Sequence, residues 1–346
     1  MVRQATMRPT MRSTMRPERP SLGDVAKHAN VSVSTASRVI NGRSGVDWAT
    51  RSAVWDAVRT LGYEVVRTPD VLSGVLVVAP WVSFGNTYWQ LVVSGILDEA
   101  SRSSLPVTFS SAATAEEAKR EIRSLMSRDG VLGVILACFP THVPAADWLP
   151  QEPEAVAVSV LMKHDGNTVD IDTYRAVYEV TRRLCELGHE RIAFAINSGR
   201  WWSPQQRIKG FQDAVAKHGS GNETGAVQWV SLDRVGEWLP TLFEGPDRPT
   251  AIVGGTTELS RLIFAELGRM GVQVPKELSF AGVGHIRPWD ETPFDAVLQP
   301  SFELGAAAVR ALRSIVARPD RTVRERLAAQ VVLVGTTSPP RVVRNV

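Results

Sequence analysis

Residues 21–41, SLGDVAKHANVSVSTASRVIN, constrain the fold more than any other stretch, because two short helical patterns meet there across a tight turn. Ser21 is placed to cap a first helix, Asp24 suits its positive end, and Leu22, Val25, Ala26 and Ala29 recur at helical spacing. Asn30 tolerates left-handed backbone, Val31 can plug the corner, and Ser32 offers a second N-cap before a helix over residues 33–40. On that helix Ala36, Val39 and Ile40 form the inward stripe, while Ser34, Ser37, Arg38 and Asn41 share the opposite face. Small polar groups with one arginine suit a DNA groove; the alternative is an ordinary helical hairpin with a solvated outer face. Residues 46–62 predict a third helix, with Asp47 as cap, Ala53, Val54, Ala57, Val58 and Leu61 as buried stripe and Gly62 as stop.

Charge is distributed to match. The chain of 346 residues carries only +3 overall, but residues 1–68 hold 11 Lys/Arg against 5 Asp/Glu. Positive charge concentrated at one end is the footprint of phosphate binding. Residues 1–20 repeat Thr-Met-Arg at Thr6, Thr10 and Thr14 and contain almost nothing that could build a core, so disorder is expected. The segment is either a dispensable tail or a basic arm along the DNA backbone.

From Gly74 the pattern alternates strands and helices, which predicts parallel sheets with crossover helices. Strands are expected at residues 75–79, 107–110, 134–138, 155–160, 191–196, 227–230, 251–253 and 278–283, and helices at 87–101, 115–128, 174–187, 204–218, 234–243 and 257–270. Two Rossmann-like lobes fit this count. No apolar run approaches the roughly 20 residues of a membrane span, and the N-terminus lacks the apolar core of a signal peptide, so a cytoplasmic, nucleoid-associated protein is expected. Cys138 and Cys185 alone make no disulfide framework, and the six histidines show no paired ligand spacing, so neither metal nor cofactor is expected. No nucleophile elbow, phosphate loop or paired-carboxylate motif is present, which argues against an enzyme.

Leu22, Asp24-Val25-Ala26, Ala29, Val31-Ser32, Thr35, Ser37-Arg38-Val39, Asn41, Thr50-Arg51 and Leu61-Gly62-Tyr63 together resemble the DNA-binding headpiece of the LacI/GalR family of bacterial transcription regulators. Leu187-Gly188-His189-Glu190-Arg191-Ile192, Arg207 with Gly210-Phe211, Val274-Pro275 with Glu277-Leu278-Ser279, and Gln299-Pro300 with Leu304-Gly305 are similar to that family's core, which resembles periplasmic sugar-binding proteins. The resemblance implies an all-α helix-turn-helix headpiece over residues 21–66, a linker over 67–73, and an effector-binding and dimerisation core over 74–346. It divides the core into a first lobe of about 74–170 and 298–327 and a second of about 171–297 and 328–346. Gly188 and His189 have a simpler explanation as a helix stop and the return to a strand.

Arg38 is the strongest base-reading candidate, since a guanidinium can donate two parallel hydrogen bonds to a guanine edge. Family resemblance implies that Val33 and Ser34 vary with operator choice, and matches Ser32, Thr35, Ser37, Asn41 and Thr50 to phosphate-contacting positions; helix capping is the alternative for each. In the core, Arg207 matches the family's ligand-holding arginine, against the alternative of a surface ion pair. The resemblance also places Tyr88 and Trp89 where the family often sets aromatics against the ligand, and Trp238 near another such position. Thr256-Thr257 replaces an Asn-Asp pair, and Gly284-His285 replaces an aspartate position, which disfavours a standard monosaccharide and points to an acidic or larger aromatic ligand, or to none. Thr256 and His285 complete the expected effector set. Only residues 64–73 separate Tyr63 from Gly74, about two helical turns shorter than the family's hinge, and Thr68-Pro69-Asp70 would break a helix there. Leu72 either enters the minor groove or anchors the linker.

The expected function is therefore a transcriptional regulator, a repressor by family likeness, whose homodimer binds a pseudo-palindromic double-stranded DNA operator and whose core senses a small-molecule effector. The alternative is an effector-independent DNA-binding and dimerisation protein, or one regulated by a protein partner.

Overall fold

Local signals set the first three helices. The computed structural model describes residues 20–40, 46–63, 74–79, 87–112, 114–126, 131–137, 157–160, 166–197, 202–220, 224–285, 293–318 and 321–340. The expected arm, the linker with Leu72, and Asn41 lie outside these residues, apart from Pro20 at the arm's end. Two compact units are present, residues 1–70 and 71–346.

In the first unit, α1 (Leu22–His28) starts at a capping box. The Asp24 N–H donates to Ser21 Oγ at 3.3 Å and the Ser21 N–H returns a bond to Asp24 Oδ2 at 2.8 Å. Those bonds from Ser21 hold the Asp24 carboxyl below the usual carboxylate range. Asn30 takes the left-handed backbone of the turn, with φ 55°. Then α2 (Val33–Ile40) follows, and α3 (Trp48–Leu61) begins at Asp47, which accepts from the Thr50 N–H at 3.0 Å, and stops at Gly62 with φ 64°. Val25, Ala26, Ala36, Val39, Ile40, Val54, Ala57 and Val58 form the core, with Leu22, Val31, Leu61 and Tyr63 packed at its edge. The residues are small, so the helices approach closely and a short chain encloses a core.

The second unit holds two six-stranded sheets. Its elements are β1 (Gly74–Ala79), α4 (Thr87–Arg102), β2 (Val107–Ser111), α5 (Ala115–Met126), β3 (Val131–Ala137), β4 (Ala157–Val160), β5 (Thr168–Ile171), α6 (Thr173–Glu186), β6 (Arg191–Ile196), α7 (Trp202–His218), β7 (Thr224–Trp229), α8 (Val235–Thr241), β8 (Ala251–Gly254), α9 (Thr257–Arg269), β9 (Ser279–His285), β10 (Asp295–Gln299), α10 (Ser301–Ala317), β11 (Arg324–Leu327) and β12 (Gln330–Val332). Sheet one runs β11-β5-β4-β3-β1-β2 with parallel pairings, and sheet two runs β12-β10-β9-β8-β6-β7, parallel except for the antiparallel β10–β12 pair. The chain passes between sheets three times: after β5, after β10, and between β11 and β12. This is the helical headpiece with an α/β core of two Rossmann-like lobes that the sequence implied. Elements β5, β10, α10, β11 and β12 were not anticipated.

Helix α10 supplies the first lobe's spine. It packs along α4 closely enough that a Cβ on Gly305 would sit 2.0 Å from the Val92 carbonyl oxygen, and one on Gly95 1.9 Å from that of Phe302. Across the second lobe, a Cβ on Gly210 would come within 2.4 Å of the Tyr174 carbonyl oxygen, so glycine is what lets α7 lie against α6. Phe211 beside it stacks on Phe194 with ring centroids 5.0 Å apart.

The C-terminal segment is fastened to the second lobe by two buried polar groups. Asp295 Oδ1 accepts from the N–H groups of Val334 at 2.6 Å, Gly335 at 2.8 Å and Thr336 at 3.2 Å. His189, 2% exposed, has Nε2 at 2.8 Å from the Ser338 carbonyl and Nδ1 at 2.9 Å from Thr250 Oγ1. A carbonyl can only accept, so Nε2 carries the proton and Nδ1 accepts from the Thr250 hydroxyl. His189 thus serves the packing of helix end and strand that its sequence position suggested. Burial pushes its pKa below the ordinary 6.5. Since the folded form holds the proton less tightly than the unfolded chain, this group's share of stability is complete above about 6.5 and declines as pH falls below it towards the folded value. Melting temperatures recorded from pH 8 to pH 5 are expected to fall below pH 6.5 in the wild type, with a flatter profile in His189→Gln.

Candidate nucleic-acid interface and ligand cleft

Helix α2 turns Ala36, Val39 and Ile40 inward and thereby presents the other side of the helix. Val33 is 53% exposed, Ser34 and Arg38 are exposed, and Thr35 and Ser37 are half-buried. Val33 and Arg38 are thus both open to a base edge, where a thymine methyl could cover the valine and a guanine could accept from the guanidinium. Ser32 caps the helix: its Oγ accepts from the Thr35 N–H at 3.0 Å and lies 2.8 Å from both Ser34 Oγ and Thr35 Oγ1. This hydroxyl cluster sits at the positive end of α2, where a phosphate oxygen would be favoured. Thr50 is half-buried and donates to Asp47 Oδ2 at 2.8 Å, so its hydroxyl is used in capping α3.

In the core, Arg207 of α7 is the residue expected to hold a ligand. It is 6% exposed, which removes the alternative of a surface ion pair. Its Nη1 donates to the Gly255 carbonyl at 2.8 Å and its Nη2 to Gln299 Oε1 at 2.8 Å. One guanidinium thus ties α7 to the loop after β8 and to the end of β10, where the chain leaves the second sheet. Burial pushes its pKa down to about 10, against the pull of Tyr88, Glu258 and Asp170, and it remains charged at neutral pH. Tyr88 on α4 and Asp170 on β5 belong to the first sheet's side of the core, so groups from both lobes act on this one charge.

The other expected cleft residues divide. Thr256 precedes α9 and donates to Asn197 Oδ1 at 3.3 Å, joining the ends of β6 and β8. Trp238 on α8 is half-buried against the second lobe's core. Trp89 differs from expectation: it is 1% exposed and packs with Val92, Ile96 and Leu304 in the first lobe's core, so its ring is a wall of that core and not an open stacking face. His285 ends β9, and its side chain lies outside the described residues. Three groups were missed. Glu258 stands one residue past the Thr256-Thr257 replacement, Asp170 sits on the unanticipated β5, and Gln299 had been read only as part of a motif. A carboxylate three residues after a strand-to-helix glycine pair was the available signal for Glu258.

Among the described residues, no helix is long and apolar enough to cross a membrane, and no group of three or more His, Cys, Asp or Glu could hold a metal ion.

Comparison with known proteins agrees with this geometry. Residues 21–65 match the domain described as bacterial regulatory proteins, lacI family, and residues 181–337 match the periplasmic binding protein-like domain. Catabolite control protein A of Priestia megaterium is 27% identical over 84% of this chain and 90% of its own length. The HTH-type transcriptional repressor PurR of Klebsiella pneumoniae (strain 342) is 26% identical over 90% of this chain and 93% of its own. Among solved structures, the lac repressor dimer bound to operator and the anti-inducer ONPF has a TM-score of 0.65 at 20% identity, covering 93% of this chain and 100% of that one. The transcriptional regulator CelR–cellobiose complex gives 0.64 at 22%, covering 92% and 100%. The relatives named are regulators, not enzymes. A lacI-type helix-turn-helix followed by a periplasmic-binding-protein-like α/β core makes this chain a member of the LacI family, a DNA-binding transcriptional regulator with a ligand-sensing core.

Proposed function

We propose that the chain acts in the cytoplasm, at the nucleoid, as a homodimeric repressor that binds a pseudo-palindromic operator and releases or tightens it when a small molecule enters the cleft at Arg207. The observation that carries this reading is the outward face of α2. Val33, Ser34 and Arg38 are exposed there over the buried stripe of Ala36, Val39 and Ile40, on a headpiece unit whose sequence holds an excess of basic residues. Arg38 and Val33 read base edges, with Ser34 as a polar partner, while Ser32, Thr35, Ser37 and Asn41 fix register on phosphates and Thr50 holds the start of α3. Two copies of the headpiece meet two half-sites about one helical turn or a multiple apart.

In the core, Tyr88, Arg207, Thr256, Glu258 and Asp170 surround the effector, with Trp89, Trp238 and His285 around them. Groups from both lobes bearing on Arg207 support this assignment, since a ligand placed among them changes lobe orientation and so couples cleft to headpiece. The effector-independent alternative has one observation in its favour: two of the Arg207 donors already have protein acceptors. Fluorescence anisotropy on an operator selected from genomic DNA separates the two. A metabolite panel in which at least one compound shifts operator affinity by about fivefold or more supports sensing, whereas an affinity unmoved by every compound rejects it in favour of a protein partner or none.

A further inference from the structure

A recess of about 610 Å³ opens between α6 and α7 of the second lobe, lined by Tyr174, Arg175, Tyr178 and Glu179 of α6 and by Asp213 and Lys217 of α7. Sites for small ligands span about 300–1,000 Å³. Ala216, also in the lining, stands nine residues beyond Arg207 in the same helix, about two and a half turns, so the recess lies on the side of α7 opposite the cleft arginine.

The two tyrosines are fixed in place. The Tyr174 hydroxyl donates to Asp213 Oδ2 at 2.8 Å, and the Tyr178 hydroxyl lies 2.7 Å from His218 Nε2. Their rings are near-parallel, with centroids 6.1 Å apart and planes at 26°, and His218 meets Tyr178 edge-on at 5.6 Å. Because both hydroxyls are engaged within the protein, what the tyrosines give the recess is carbon ring surface held in one position, which suits a flat ring.

The charged groups divide sharply. Asp213 Oδ2 also accepts from Lys209 Nζ at 2.6 Å, and that lysine stands 5.9 Å from the centre of the Tyr174 ring. Glu179 Oε2 accepts from Arg182 Nε at 2.9 Å, and Glu186 binds Nη1 of the same guanidinium. Asp172 caps the start of α6, accepting from the Arg175 N–H at 3.1 Å. Each nearby carboxylate therefore has its donor. Arg175 and Lys217 are exposed, one on each helix, and among the described residues neither side chain has an acceptor.

We propose that this recess is a second ligand site, which takes a planar ring carrying a phosphate, the chemistry of a nucleoside monophosphate. The ring packs on Tyr174 and Tyr178, and the phosphate sits between Arg175 and Lys217. Arginine offers a planar fork to two phosphate oxygens, and lysine a movable point charge. The site stands apart from the Arg207 cleft and does not depend on that cleft's sensing an effector.

Isothermal titration of the full-length protein with adenosine monophosphate, adenosine and inorganic phosphate tests this. The nucleotide is expected to bind at least about tenfold more tightly than either of the others, since each lacks one half of the contacts. The double variant Arg175→Gln with Lys217→Gln is expected to weaken the nucleotide by about tenfold or more, with an unchanged urea midpoint because both side chains are exposed. Tyr178→Phe keeps the ring and should keep the affinity, while Tyr178→Leu should lower it by about fivefold or more. A nucleotide bound no better than adenosine or phosphate, an affinity unchanged in the double variant, or equal affinities in Tyr178→Phe and Tyr178→Leu overturns the proposal. Binding lost in Arg207→Lys but kept in the double variant places the nucleotide in the cleft and overturns it as well. Failure of the nucleotide to bind overturns it too and leaves the reading of the cleft as it stands.

Discussion

Arg38→Ala is expected to weaken operator binding by about 2–6 kcal/mol, because a bidentate arginine–guanine pair carries about 1–3 kcal/mol of discrimination and a dimer uses it twice. The side chain is exposed in the last turn of α2, and the buried Val39 and Ile40 that follow it fix the helix rotation that points it outward. Nothing in the small core of the headpiece depends on it, so the melting temperature should not change. The variant's selected binding sites should lose preference at one base pair of each half-site. Arg38→Lys keeps the charge but not the planar fork, and should recover affinity for phosphates without recovering that preference. A uniform loss across all sequences, with a salt slope reduced by about one per headpiece, would reassign Arg38 to the backbone. Site selection with randomised duplexes, followed by anisotropy at two salt concentrations, measures both.

Much of the headpiece was legible because its determinants are local. Ser21 and Asp24 cap each other across three residues, Asn30 and Gly62 occupy left-handed backbone, and the stripe of Ala36, Val39 and Ile40 repeats at helical spacing. The alternating core was legible for the same reason wherever a helix has one wet face. Helix α10 was not, because Leu304, Gly305, Ala306, Ala307, Ala308 and Val309 are buried in succession and a helix covered on most sides shows no stripe. Strands β5, β10, β11 and β12 are three to five residues long and carry charged or amide side chains among those few positions, so neither an apolar run nor a period declares itself.

The cleft divides along the same line. Arg207 was found through the resemblance of Arg207 with Gly210-Phe211 to the family's core, and the structure shows that Gly210 serves a close helix approach. Trp89 could not be assigned, since core and cleft both lie inward of α4 and periodicity does not distinguish them. Glu258 carries no family signal, because it stands one residue beyond the positions where Thr256 and Thr257 replace the Asn-Asp pair. A ligand site is a set of atoms converging in space, and shifting one acceptor by a single helical position leaves it within the same turn.

Arg207→Met should therefore have the second large effect, and on two properties at once. Methionine fills much of the space but donates nothing, leaving the Gly255 carbonyl and Gln299 Oε1 as buried acceptors without their donors, at about 1–3 kcal/mol each. It also removes a cation that Glu258 and Asp170 act upon, while sparing the cost of burying a charge. The net loss expected in urea denaturation of the core is about 2–4 kcal/mol, with the headpiece transition unmoved because its core shares no residue with the cleft. Arg207→Lys keeps a cation but can satisfy only one of two acceptors that the planar fork reaches together, so about half that loss should remain. Because Gln299 immediately precedes the crossover into α10, freeing it loosens the connection through which the second lobe is joined to the first lobe's spine. Ligand response should accordingly fall more than ligand affinity: titrations of Arg207→Lys should show an effector that still binds, while the operator anisotropy it once shifted no longer moves. A lysine variant that retains full coupling would mean that Arg207 holds the ligand without transmitting its presence.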